Sequence, residues 1–213
     1  MCIRDRYKWD AVNGTDYVLD TENSTLAIYT AKGAAFWSAS GSLYRTYAIT
    51  LENDINVSDF LWSPVAADDT EAFMGIFDGK GHTISGLTFN EASNGAIGLF
   101  GFLYYDSTDL PGVVKNLTLN GTITVSDSSN GYNYVGGIVG YQISGTIDHC
   151  TNNVNISVTS TCSEAICYAG GFVGYNDGGV VRNCANNGKM CIRDRALPGR
   201  RLSFRTAYWK IRR

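Results

Sequence analysis

Proline and histidine are nearly missing from this chain, with three and two copies among 213 residues. Against that scarcity stand 23 glycines between Tyr7 and Gly188 and many Asn, Ser, Thr and Tyr residues. The mixture favours short strands joined by tight turns over helices or disorder. No apolar run approaches the roughly 20 residues a bilayer-spanning helix needs, so no membrane insertion is expected in this segment. There is no G-x-S-x-G, H-E-x-x-H or P-loop string, which removes the commonest local signatures of hydrolase, zinc-peptidase and nucleotide chemistry. No C-x-x-C pair or His/Cys ligand spacing points to zinc.

Positive charge is scarce in most of the chain and crowded at its ends. Met-Cys-Ile-Arg-Asp-Arg occurs at residues 1–6 and again at 190–195. The string resembles translated transposase-adapter sequence (AGATGTGTATAAGAGACAG). In that frame the residue after Asp must be Arg or Ser, and it is Arg6 and Arg195; the residue before the internal Met must end in an NAG codon, and Lys189 fits. A duplicated targeting or metal motif is the rival explanation. Residues 1–6 and 189–213 are therefore set aside as an adapter artefact and a chimeric tail. Tyr7–Gly188 then holds six basic and eighteen acidic residues, a formal net charge of −12. Such a span repels phosphate backbones, so the basic tail is not read as a nucleic-acid arm and no nucleic-acid partner is expected. Its 182 residues suffice for one domain with a substantial core. Met1 lies in the duplicated string, so a signal peptide is not legible and the true start is expected upstream.

The most informative feature is an internal repeat. GGIVGYQISGTIDHC (Gly136 to Cys150) and GGFVGYNDGGVVRNC (Gly170 to Cys184) are identical at seven of fifteen positions, 34 residues apart. A weaker copy runs from Gly98-Leu99-Phe100-Gly101-Phe102 to Val114-Lys115-Asn116-Leu117. A fixed period of this length marks an array whose units bury their apolar sides only by stacking. Three ladders are predicted: Leu99/Ile138/Phe172, Phe102/Tyr141/Tyr175 and Ile84/Val114/Ile147/Val181. Each third-ladder residue except Ile84 precedes an outward charge, giving Lys115, Asp148 and Arg182 in phase. Cys150 and Cys184 share a phase that Leu117, and Leu87 before it, would hold in earlier units. They read as stacked, reduced and buried thiols. Cys162 and Cys167 flank a loop and pair only if the protein reaches an oxidising compartment.

Ahead of the repeats, Thr25 to Tyr29 reads as a strand and Thr30 as the N-cap of a short helix, Ala31 to Ser38. That helix carries Ala34, Ala35, Phe36 and Trp37 and is expected to cover the open end of the stack. Tyr47 to Val57 reads as strand, turn at Asn53-Asp54, and second strand. Trp62-Ser63-Pro64-Val65 interrupts the pattern, and Phe73 to Leu87 resumes it.

The runs NDI, W-x-P-V, F-x-G-x-FDG-x-GHTISGL and the two GG-x-VGY repeats resemble secreted bacterial proteins carrying GLUG repeats, and TAKGAAFW resembles their N-terminal cap. The resemblance spans nearly all of Thr25–Gly188. It implies an all-β fold, a single-stranded right-handed parallel β-helix with a short N-terminal capping helix, in large, often adhesin-like proteins at the cell surface or outside the cell. It also implies an array continuing beyond the C-terminal end. The domain reading is 7–44 for the first strand and cap and 45–188 for the repeats. Val65-Ala66 departs from the family's usual Ile-Gly, as does an insertion between Gly101 and Val114.

Candidates for chemistry are few. His82 lies near Asp78 in Asp78-Gly79-Lys80-Gly81-His82, where both residues also suit turn-forming roles. His149 takes the position of Asn116 and Asn183 and is read as a turn or surface residue. Asp68, Asp69, Glu71 and Asp78 could gather around calcium, although their spacing matches no EF-hand. No catalytic, cofactor or metal set is assigned. The expectation is a non-catalytic extracellular stalk or adhesin-like surface that contacts glycans or host or cell-surface proteins. The alternatives are a polysaccharide-active lyase or hydrolase, and an accessory region of a larger surface peptidase.

Overall fold

A computed structural model describes residues 11–91, 95–104, 112–127, 132–160, 166–194 and 204–206. The first hairpin is β1 (Tyr17–Asp20) and β2 (Thr25–Ile28), the antiparallel pair. Helix α1 (Ala31–Ser40) follows, and Thr30 caps it by accepting a hydrogen bond from the Gly33 N–H. A 3-10 turn (Gly41–Tyr44) leads to β3 (Ala48–Leu51) and β4 (Ile55–Asn56). A second 3-10 turn (Asp69–Glu71) precedes β5 (Ile76–Asp78) and β6 (Thr83–Glu91).

From there the chain repeats itself. Strands β7 (Gly95–Ile97), β8 (Phe100–Leu103), β9 (Val113–Lys115) and β10 (Thr118–Asp127) form one circuit. The next is β11 (Tyr132–Gly136), β12 (Val139–Gln142), β13 (Thr146–Asp148) and β14 (Thr151–Ser160). A third runs through β15 (Ile166–Gly170), β16 (Val173–Asn176), β17 (Val180–Arg182) and β18 (Ala185–Asn186), with β19 (Met190–Asp194) and β20 (Phe204–Thr206) beyond. Corresponding strands pair in parallel, so four sheets form, ordered β1-β2-β3-β5-β9-β13-β17, β18-β14-β10-β6-β4, β20-β15-β11-β7 and β16-β12-β8. The chain passes from sheet to sheet and returns one period later. The other three faces thus serve as the long connection that parallel pairing requires.

The core runs through the middle as in-phase rungs. Leu26, Ile49, Phe77, Val114 and Ile147 are buried and aligned by register across five successive strands, and half-buried Val181 continues the row. Phe77, not Ile84, therefore precedes Val114. Ile84 belongs to the neighbouring sheet, between Ile55 and Leu119, because two extra residues, Lys80-Gly81, lengthen the corner before it. The same shift corrects Leu87, which pairs with Gly121 across a bulge and is out of phase with Leu117.

Helix α1 closes the first end. Trp37 is fully buried, stacked on Phe77 at 5.0 Å and edge-on to Trp62 and Phe100 at 6.0 and 5.5 Å. The corner glycines have a specific cause as well. A Cβ on Gly137 would strike the side chain of Asn152, and one on Gly171 the side chain of Asn186. Asn152 is buried and ties the two corners together, donating to Gly171 O at 2.8 Å and to Asn186 Oδ1 at 2.9 Å.

The tail does not stand apart from the stack as its composition suggests. Met190–Asp194 pairs in parallel with Ile156–Ser160, and Phe204–Thr206 with Cys167–Ala169. Ile192 packs partly against the core. The physical reason is that the edges of β14 and β15 present a row of backbone donors and acceptors, and any extended chain can pair with such an edge. Residues 1–6 lie outside the described residues.

Candidate functional site

The outward charges form a longer row than the repeat alone suggests. Register places Asp78 beside Lys115, Lys115 beside Asp148 and Asp148 beside Arg182, four alternating charges on four consecutive turns. The row resolves into two similar clusters. In the first, Lys115 Nζ lies 3.3 Å from Asp78 Oδ2, and Asn116 Nδ2 donates to Asp78 Oδ1 at 3.0 Å. In the second, Arg182 Nε and Nη2 reach Asp148 Oδ2 at 3.0 and 2.9 Å, and Asn183 Nδ2 donates to Oδ1 at 2.9 Å. An acid on one turn is thus gripped by a cation and the following Asn on the next. Lys115 pairs back to Asp78.

Backbone conformation explains why Asn recurs. Asn116, His149 and Asn183 all have φ between 50° and 54°, the left-handed region that Asn and His enter more readily than branched residues. That conformation turns the chain from one sheet into the next. His149 occupies the corner and contacts Asp148 Oδ1 through Nδ1 at 2.8 Å. Lys80 takes φ 51° in the lengthened corner, where Gly81 follows at φ 84°.

Both carboxylates are committed to the structure. Burial raises the Asp78 pKa, but the Asn116 amide, the Lys80 N–H and the Lys115 ammonium outweigh it and hold the group below the usual aspartate value. Asp148 is likewise depressed against the effect of burial, by Asn183, Arg182 and His149. His82 does not pair with Asp78. Its Nδ1 lies 3.3 Å from Asp54 Oδ1, which also accepts the Thr83 N–H at 2.7 Å. An open groove beside these corners is lined by Asp78, Lys80, Asn116, Thr118 and His149.

The acidic loop is also separate from Asp78. Asp68 accepts the Thr70 N–H and hydroxyl at 2.9 and 2.7 Å, capping the 3-10 turn that contains Asp69 and Glu71. Among the described residues no group of three or more His, Cys, Asp and Glu side chains is placed to hold a metal ion.

Cys150 is buried and Cys184 half-buried one turn above it, and neither is in a disulfide. The Cys150 N–H donates to Cys184 Sγ at 3.4 Å. The hydrogen bond with the Cys184 thiol, reinforced by burial, pushes the Cys150 pKa up, and the same contact lowers that of Cys184. Cys167 is buried in β15, and Cys162 lies outside the described residues.

Phe102, Tyr141 and Tyr175 are in register on β8, β12 and β16, with ring centroids 5.7 and 4.9 Å apart. Tyr134 and Tyr168 form a second in-register pair beside it, with Tyr132 stacked on Tyr134 along the same strand and an edge-on contact of 4.9 Å between Tyr134 and Tyr141. Tyr134 and Tyr168 keep the 34-residue period two residues ahead of the paired glycines, and that spacing is the sequence signal that could have found them.

The GLUG motif family matches residues 131–159 and 166–189. Halomucin of Haloquadratum walsbyi (strain DSM 16790 / HBSQ001) is 29% identical over 168 aligned residues, covering 58% of this chain, which spans 2% of that protein's length. A Bacteroides ovatus structure designated a candidate immunoglobulin A1 protease superposes with a TM-score of 0.42 at 16% identity, over 77% of this chain and 66% of that one. The two motif matches fall on the second and third circuits of the stack, from β11 to β14 and from β15 to β18.

Proposed function

We propose that this chain is a non-catalytic segment of a longer extracellular or cell-surface protein, wound as a right-handed parallel β-helix that presents binding surfaces on a stiff stalk. The handedness follows from the general rule that parallel strand–crossover–parallel strand connections are right-handed. The stalk character follows from quasi-one-dimensional stacking, in which each turn is held by its neighbours. No helix among the described residues is long and apolar enough to cross a membrane.

The observation that carries the non-catalytic reading is the state of the outward carboxylates. Asp78 and Asp148 lie two turns apart, about 10 Å at roughly 4.8 Å per turn, which approaches the carboxyl spacing of inverting glycosidases. A glycosidase of that kind needs one of the pair protonated near neutral pH, with a raised pKa. Here Lys115 stands between them in register and both groups are held below the ordinary value. Neither is available as a proton donor.

The test is a turnover screen of the full chain against neutral, pectic and uronic-acid polysaccharides. No new reducing ends or unsaturated products are expected. Cleavage abolished by Asp78→Asn or Asp148→Asn would overturn the reading in favour of a polysaccharide-active enzyme.

A further inference from the structure

Five tyrosines and a phenylalanine cover the corner between the β7-β11-β15 and β8-β12-β16 sheets. In addition to the row contacts above, Tyr168 meets Tyr175 edge-on at 4.9 Å and Tyr134 meets Tyr175 at 5.7 Å, so the rings form one continuous patch. The core does not explain them. Tyr134 alternates with buried Asn133 and Val135, Tyr141 precedes buried Gln142, and the tyrosines point outward, with Tyr132 53% exposed. The five strands that carry the patch contain no charged side chain in FGFL, YNYVG, VGYQ, ICYAG and VGYN, nor does the adjoining GAI. Exposed Asn176 and Asp177 stand at its rim, with the Asp177 N–H anchored to Gln142 O at 2.9 Å.

We propose that this patch binds an uncharged glycan chain, a proposal that rests on the surface-binding reading above and names its ligand class and site. Pyranose rings offer apolar C–H faces that pack against aromatic rings. Their hydroxyls suit phenol groups and the Asp177 side chain. The tyrosines hold one another edge-to-face and stacked, so little side-chain freedom is lost on binding. Aromatic rings recur on three turns at Phe102, Tyr141 and Tyr175 and on two at Tyr134 and Tyr168, which matches a polymer of repeating units.

Charge selects among ligands. With no cation in its strands and Asp177 at its rim, the patch itself does not attract anionic polymers. A protein partner is less suited, since protein hot spots centre on anchors seated in desolvated pockets, whereas this patch is an outward surface of hydroxyl-tipped rings with no Trp or Arg among them.

The probes are mannan, xylan, β-glucan and, as the acidic control, polygalacturonate, used in native affinity gels with the full chain. Retardation by at least one neutral polymer is expected, and Tyr134→Ala and Tyr168→Ala should each weaken it tenfold or more while leaving any retardation by polygalacturonate unchanged. Tyr29→Ala, on an exposed tyrosine away from the patch, should leave it unchanged. A measurement that needs no variant is nitration of the wild-type chain, in which the retarding glycan should protect Tyr132 and Tyr134 but not Tyr29. Failure of every neutral glycan to retard the wild type overturns the proposal. Retardation with no protection and no loss in either variant overturns the site while leaving the surface-binding reading intact. Binding of a chemically deglycosylated mucin through the same tyrosines also overturns it, in favour of a protein partner. Cleavage of the polymer by the wild-type chain overturns the earlier reading instead.

Discussion

Arg182 and Asp148 meet across adjacent turns, with Nε and Nη2 at 3.0 and 2.9 Å from the same carboxylate oxygen. The contact repeats one made two turns earlier by Lys115 and Asp78, so the outer charge row joins neighbouring turns in pairs. Such cross-strand pairs contribute roughly 0.2–1 kcal/mol each, and less where solvent and salt screen them. Their main effect is on register, because a one-residue slip would turn every charge inward.

Replacing Asp148 by Lys places three cations in a row on consecutive turns and strips Arg182 and Asn183 of their acceptor. The melting temperature should fall, and the fall should be larger at 20 mM than at 500 mM salt, since screening weakens like-charge repulsion. Equal melting temperatures for both proteins at low salt would show that the row is not a register element.

Acid should destabilise the stack through the same two aspartates. Both have folded-state pKa values below the ordinary aspartate value, so the native chain binds fewer protons than the unfolded chain near that pH. Their stabilisation is fully present above the ordinary aspartate pKa and is lost as pH falls through the lower native values. Melting curves between pH 5 and pH 2 should show a decline that is shallower in Asp78→Asn, which begins less stable but has less to lose.

Cys184 should alkylate before Cys150 in the native protein. Cys184 is half-buried with a lowered pKa, while Cys150 is buried with a raised one, and the thiolate is the reactive form. Iodoacetamide labelling followed by peptide mapping checks the order. Denaturation should make the two equally reactive, and a native order reversed from this would contradict the assigned packing.

Trp37→Ala should cost about 3–5 kcal/mol, the range for removing a large buried aromatic side chain. Trp37 touches Phe77, Trp62 and Phe100, so its loss opens the first end of the core. Denaturant melts give the size of the effect, and increased light scattering at equal concentration is expected from the uncovered strands.

Gly140→Ala should also be severely destabilising, because a Cβ there would lie 2.5 Å from Ile97 N on the neighbouring turn. Gly81→Asn is the contrasting change, as its Cβ meets nothing within 4 Å and Asn tolerates the left-handed φ of 84°. A melting temperature for Gly81→Asn as low as that of Gly140→Ala would refute the close-approach explanation.

The 34-residue repeat determined the stacking of Tyr141 on Tyr175, Asp148 on Arg182 and Cys150 on Cys184, because equal spacing forces equal phase once strands pair in parallel. The capping helix was legible for a local reason: Thr30 satisfies a free N–H and four apolar residues crowd the short helix. Whatever depended on corner length was not legible. Lys80 and Gly81 add two residues to one corner, which moves Ile84 and Leu87 into another sheet and gives Phe77 the rung beneath Val114. Three-dimensional proximity alone paired His82 with Asp54, tied Asp78 to Asn116 and brought Tyr134 and Tyr168 beside the Tyr141–Tyr175 row. A sequence period records which residues share a height in the stack. Which faces meet at each corner depends on local turn conformation, and that is decided by sterics among turns distant in sequence.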